Sequence, residues 1–221
     1  MIQLAEIENQ DASTLVCSHL ICRKCGIVDR DYSRTRKGGK CSTCGKESEG
    51  GSLMFPTSTH ILVDLVQQAF HSKSPVGPIS GPQVPDIGTV LFYCTLREAL
   101  LNALLLNHLR TRVVPEALVK KLLDDNKLAS QKFGDLFTAV VGVKWFEAVA
   151  EASKFADVNF KPTSDLMRSA AALRNEFLHE GTGWQATHEF AAECLNSLPM
   201  LVELFVALHK LYVHPLYPRD I

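Results

Sequence analysis

Two short cysteine motifs, Cys22-Arg-Lys-Cys25-Gly26 and Cys41-Ser-Thr-Cys44-Gly45, constrain this chain more than any other feature. Each pair closes a tight turn, and the glycine behind it permits the backbone conformation in which amide groups face the sulfurs. With fifteen residues between the pairs, a short hairpin can bring four thiolates tetrahedrally onto one ion. The spacing predicts a structural zinc site with Cys22, Cys25, Cys41 and Cys44 as ligands. Such a metal would also answer a stability problem. Residues 14–50 hold few large apolar side chains (Leu15, Val16, Leu20, Ile21, Ile27, Val28, Tyr32). A piece below about 40 residues usually needs a metal or disulfides to fold. Cys17 and His19, just upstream, could replace one ligand, but they break the symmetry of the two motifs. Cys94 and Cys194 lie in apolar helical surroundings and read as packing residues.

Charge is unevenly spread. The formal net charge is only −1. Between Cys22 and Lys46, however, eight basic residues stand against two acids, leaving the rest of the chain with fifteen basic and twenty-two acidic residues. Four thiolates on a divalent ion reduce the local excess without removing it. A positive ribbon attracts phosphate. Arg23, Lys24, Arg34, Arg36, Lys37 and Lys40 are therefore the candidate nucleic-acid contacts, against the plainer alternative of a solubilising loop over Arg34–Lys40.

Three parts are expected: a zinc ribbon over 14–50, a helix and Pro/Gly-rich linker over 51–85, and a helical domain over 86–221. A helix is predicted from Pro56 to about His71, with Ser58 or Thr59 as N-cap. Prolines 75, 78, 82 and 85, interleaved with glycines, forbid regular structure beyond it. Helices are then expected at about 88–110, 115–125, 128–140, 143–156, 163–180 and 185–213, the last kinked at Pro199. With no strand alternation outside the ribbon, the fold class is an all-α helical bundle preceded by a small CxxC/CxxC zinc ribbon. Arg97, Glu98 and Asn102 interrupt the apolar run Val90–Leu109, which reads as a buried core helix rather than a membrane span. The first residues lack the basic-then-apolar pattern of a signal peptide, and the cysteine usage suits a reducing cytoplasm.

The candidate chemistry lies in Leu173-Arg174-Asn175-Glu176-Phe177-Leu178-His179-Glu180-Gly181. On a helix Asn175 and His179 share a face, so the amide can orient the imidazole. Arg174 and His179 are about 140° apart around the axis and meet more easily through the same helix of a second subunit. A histidine that moves a proton and an arginine that meets developing charge suit a phosphodiester. Thr95, Glu98 and Asn102 form a polar stripe on the otherwise apolar helix. A buried carboxylate there needs a partner, for which Arg174 is the candidate. Walker lysine loops, GxSxG and HExxH motifs do not occur.

This segment resembles the HEPN superfamily of helical ribonucleases and nucleotide-binding proteins, which carries an Arg-x4–6-His signature near the end of a long helix. Arg174-Asn175-x3-His179, followed by Gly181, is similar to it, and the resemblance spans about residues 86–215. It implies a four- or five-helix, HEPN-like bundle that forms a homodimer. It further implies metal-independent RNA cleavage, in which the ribose 2′-OH attacks the adjacent phosphate to leave a 2′,3′-cyclic phosphate and a 5′-OH. Arg174 and His179 would be catalytic with Asn175 in support. Glu98 takes the place of the polar residue that the family carries on an earlier helix. A defence or toxin-like role with an inhibitory partner protein is typical of the family. HEPN toxins often have Tyr two residues after the histidine, where this chain has Gly181.

The function expected from the sequence is thus endoribonuclease action on single-stranded RNA, with zinc structural, no catalytic metal and no membrane partner. The alternatives are a non-catalytic HEPN-type module that binds RNA, nucleotide or a partner, and a zinc-ribbon transcription factor. The latter would require an internal helical duplication that the sequence does not display.

Overall fold

The computed structural model describes residues 12–30, 39–47, 53–72, 83–126, 128–181 and 186–213. Helix α1 (Ala12–Ser18) leads into an antiparallel pair, β1 (Leu20–Ile21) and β2 (Val28–Asp29). Nine further helices and a π-helical turn follow among the described residues: α2 (Thr57–His71), α3 (Val84–Thr111), α4 (Glu116–Asp125), α5 (Ala129–Gln131), the π turn (Lys132–Leu136), α6 (Phe137–Val141), α7 (Trp145–Ala156), α8 (Lys161–Glu180), α9 (His188–Asn196) and α10 (Leu198–Tyr212). The protein is mostly helical, as its periodicity predicts.

Helix α3 is the axis of the body. Tyr93, Leu96, Leu100, Leu101, Leu104 and Leu105 are fully buried and face different directions around it, because α2, α6, α8, α9 and α10 all pack on this helix. That packing explains its composition: most of its surface faces other helices, while Thr95 is exposed and Glu98 and Asn102 are only partly buried. Among the described residues α3 alone is long and apolar enough to cross a membrane, and 61% of its most apolar window is buried inside the fold.

Several boundaries differ from the sequence-based expectation for local physical reasons. Helix α3 starts at Val84 rather than near 88, since Pro85 in its first turn needs no N–H partner and the Asp86 carboxylate accepts from the Gln83 N–H. Pro56, not Ser58 or Thr59, precedes α2, and Thr59 is buried within it. The single helix expected over 185–213 is broken at Ser197 into α9 and α10, bent by 42°. Pro199 in the first turn of α10 removes the donor that would have continued the helix toward Leu195. Helix α8 ends as predicted, with Gly181 at φ +67° and its N–H on the Phe177 carbonyl.

The N-terminal part is less separate than the sequence implies. Leu15 and Val16 of α1, with Ile21 and Val28, belong to the same apolar core as the body helices. Leu20 bridges to Leu53, and the Met54 N–H donates to the His19 carbonyl. Polar groups complete the junction. His19 Nδ1 sits 3.1 Å from the Leu15 carbonyl while Arg30 Nε donates to its Nε2 at 3.4 Å, so the ring is the neutral Nδ1–H tautomer. His209 Nδ1 lies 2.6 Å from the Phe205 carbonyl. Asn107 Nδ2 reaches both His209 Nε2 at 3.2 Å and the Met54 carbonyl at 3.0 Å. Phe55 meets the His209 ring edge-on at 5.4 Å.

Burial depresses both histidines. His19 falls from 6.5 to about 4, with the Arg30 and Lys210 charges adding to the effect against its carbonyl partner. His209 falls likewise to about 4, its contacts with backbone carbonyls only partly offsetting desolvation. The unfolded chain therefore takes up protons first, and stability should fall as pH drops from 6.5 toward 4. The loss should reach about 3 kcal/mol for each histidine. Urea denaturation across this range checks it: His209→Phe, whatever its stability at neutral pH, should show a shallower acid slope than the native chain.

Candidate functional site

The two cysteine motifs fold as the sequence predicts. In each, the glycine takes a positive φ (Gly26 +71°, Gly45 +67°) and its N–H returns to the first cysteine's carbonyl, at 2.7 Å on Cys22 and 2.8 Å on Cys41. Cys22 Sγ and Cys44 Sγ are 3.7 Å apart, Cys25 Sγ and Cys41 Sγ 3.8 Å, and all four sulfurs lie within 4.8 Å of one another. For metal–sulfur bonds of about 2.3 Å, the edge of a regular tetrahedron is about 3.8 Å. The sulfurs thus stand where a tetrahedral metal site needs them and too far apart for disulfides. Cys22 and Cys41 are buried, Cys25 and Cys44 half-buried, so such a site would be shielded on the side that faces the body.

Neighbouring candidates stay outside the cluster. Cys17 Sγ lies 3.4 Å from His60 Nδ1, and His19 is turned into the body. Cys94 and Cys194 are fully buried, and desolvation pushes both thiols up, Cys94 to about 11. Arg23, Lys24 and Lys40 are exposed, the last beside the Glu47 carboxylate at 3.8 Å. Arg34, Arg36 and Lys37 lie outside the described residues.

The second constellation is a cleft of about 570 Å³ along one face of α8, lined by Ser164, Asp165, Met167, Arg168, Ala171, Arg174, Asn175 and His179. Arg97 of α3, Phe133 of the π turn, and Trp145 and Phe146 of α7 form its other walls. Arg174, Asn175 and His179 thus open onto one space. Arg174 Nη1 donates to Glu98 Oε1, which ties α8 to α3; these side chains are only 28% and 25% exposed, so the pair is partly shielded from water. Asn175 and His179 are both exposed, and no hydrogen bond between them is present.

Arg97 was not singled out from the sequence, although it adjoins Glu98. It is 6% exposed, donates from Nη1 to the Met167 carbonyl at 2.6 Å, and lies 4.8 Å from the Phe133 ring centre. Its Nε has no acceptor among the described residues. Desolvation pushes its pKa down from the usual arginine value. Trp145 is held by an Nε1–H bond to Ser164 Oγ at 3.0 Å and by edge contacts with Phe133 and Phe137, whereas Phe146 is 66% exposed. No sequence signal marks these groups: the π-helical turn that carries Phe133, a frequent companion of functional sites, has no sequence signature of its own.

Comparison with protein-family models, with curated proteins and with solved structures finds no match.

The thiol cluster predicts one tightly held divalent metal per chain, measurable by elemental analysis. Cys22→Ser or Cys44→Ser should abolish it. Because Ile21 and Val28 of the ribbon share the body's core, either variant should also lower the melting temperature of the helical part.

Proposed function

We propose that this protein is a HEPN-type endoribonuclease that cuts single-stranded RNA without a catalytic metal, its four-cysteine ribbon held by structural zinc. The observation that carries this reading is the convergence of Arg174, Asn175 and His179 on one open cleft, with Arg174 anchored by Glu98 from a different helix. An arginine with one N–H committed to a carboxylate keeps four donors for a phosphate. Glu98 restricts the guanidinium's freedom, so that less conformational entropy is lost on binding.

In the proposed reaction His179 takes the proton from a ribose 2′-OH. The 2′-oxygen then bonds to the adjacent phosphorus as the bond to the 5′-oxygen breaks, and the leaving oxygen receives a proton. Arg174 meets the charge on the non-bridging oxygens. A homodimer would place a second copy of α8 beside the first and provide a second proton-transfer group. The basic ribbon residues, Arg23, Lys24 and Lys40 among them, would hold RNA phosphates by long-range attraction. Cysteines that form no disulfide and are arranged for a metal suit a reducing compartment such as the cytoplasm.

A non-catalytic RNA- or nucleotide-binding protein is the second reading. It is favoured by the exposure of His179 and the lack of a hydrogen bond from Asn175 to position its ring.

Labelled single-stranded RNA, incubated briefly with zinc-loaded protein in excess EDTA, separates the two. The native protein should leave 2′,3′-cyclic phosphate ends. His179→Ala should cut at least about 100-fold more slowly, with unchanged melting because the residue is exposed. Equal cleavage by both proteins would overturn the assignment. Intact RNA with both, binding retained, would establish the second reading.

A further inference from the structure

Arg97 is a cation nearly removed from water, with one carbonyl acceptor, one aromatic face and an unpartnered Nε. A buried charge so placed is costly unless an opposite charge meets it. Its neighbour Glu98 is turned to Arg174. Among the described residues that line the same cleft, the other permanently charged side chains are Arg168 and Arg174, against the carboxylate of Asp165. That carboxylate is itself held by Lys161 at 2.5 Å and Arg168 at 3.2 Å, and these cations keep it charged. The cleft thus presents a surplus of positive charge, part of it in a low-dielectric wall.

The position of this surplus along α8 is informative. Arg97 grips the backbone at Met167, and Trp145 is bonded to Ser164, so Arg97, Phe146 and Arg168 gather at the N-terminal half of the helix. His179 lies eleven residues beyond Arg168, about 16 Å along the axis. That is more than one nucleotide away. Phe146, two-thirds exposed although large and aromatic, borders the same cleft as these cations. An exposed aromatic ring beside guanidinium groups fits a flat base joined to a phosphate, because stacking tolerates any base while the cations hold the backbone.

We propose that Arg97, Arg168 and Phe146 form a nucleotide subsite, remote from His179 in the same cleft, which binds a phosphate on the guanidiniums and its base against the Phe146 ring. This extends the ribonuclease reading: the subsite would hold an unpaired nucleotide of the RNA at a set distance from the bond that is cut. It involves no chemistry of its own.

Calorimetric titration of the full, zinc-loaded chain with adenosine monophosphate, adenosine and inorganic phosphate tests the proposal. The monophosphate should bind, with adenosine and phosphate each at least about tenfold weaker, since each makes only half of the contacts. Phe146→Ala should weaken the monophosphate about tenfold by loss of stacking, and Arg168→Ala should weaken it without affecting adenosine. Both side chains are exposed, so both variants should fold; an unchanged thermal melt checks this. Arg97→Met is the third variant, and Arg168→Ala keeps the test valid if that one fails to fold. His179→Ala should bind the monophosphate as the native chain does. No binding at about millimolar monophosphate, equal affinity for phosphate alone, or native affinity in either exposed variant would overturn the subsite. Cleavage of RNA with no nucleotide binding would sink this inference alone. Nucleotide binding without cleavage would sink only the ribonuclease reading.

Discussion

The near-complete enclosure of α3 is the constraint from which the rest of the structure follows. A helix of 28 residues so rich in apolar side chains must be covered along most of its surface, and six other described helices pack on it. That burial also brings several of its polar residues inside. Each must then find a partner, because a desolvated donor or charge left alone is destabilising. Asn107 reaches His209 and Met54, Glu98 reaches Arg174, and Arg97 reaches the Met167 carbonyl and the Phe133 ring. These contacts fix where α8, α10 and the segment before α2 lie. The cleft is linked to the same demand, since Arg97, the most deeply buried charged group in its lining, comes from α3.

The ribbon and the body are similarly interdependent. A metal can organise the two knuckles, but the strands beyond them are two residues long and have no core of their own. Ile21 and Val28 join one core with Leu15 and Val16 of α1 and with the body helices, and β2 packs on α10. At the junction Glu203, buried and pushed above the usual carboxylate range by desolvation, lies 3.8 Å from Arg30. Lys210, itself partly desolvated, belongs to the same group. The junction thus combines apolar packing with weakly paired charges, and the state of the thiol cluster is coupled to the helical core through residues on both sides of it.

The knuckles were legible because their chemistry is local: two cysteines, a turn and a glycine lie within five residues. The end of α8 was legible for the same reason, as Gly181 supplies the left-handed residue that closes it. The Glu98–Arg174 pair was suggested by a simple argument, that a carboxylate on an apolar helix needs a cation. What escaped was anything set by packing between distant segments. Residues 14–18 fall in the expected ribbon yet belong to a helix, Ala12–Ser18, in the body's core, because its burial depends on α2 and α10. Arg97 shows in the sequence only as a break in an apolar run, and its depth comes from the packing around it. Nothing in the sequence distinguishes Phe146 from a core aromatic, and its exposure is set by the packing.

Sequence alone therefore determined the elements whose cause is short-range: the four-thiol motif, the helical class, the terminating glycine and the residue types available for phosphate chemistry. Tertiary structure decided which of those residues meet. Arg174, Asn175 and His179 were bound to be close because they share two turns of one helix. That Arg97, Arg168 and Phe146 border the same cleft follows only from how α3, α7 and α8 pack. Helical periodicity specifies which face is buried, whereas the partner of that face depends on shape, volume and desolvation summed over the whole core.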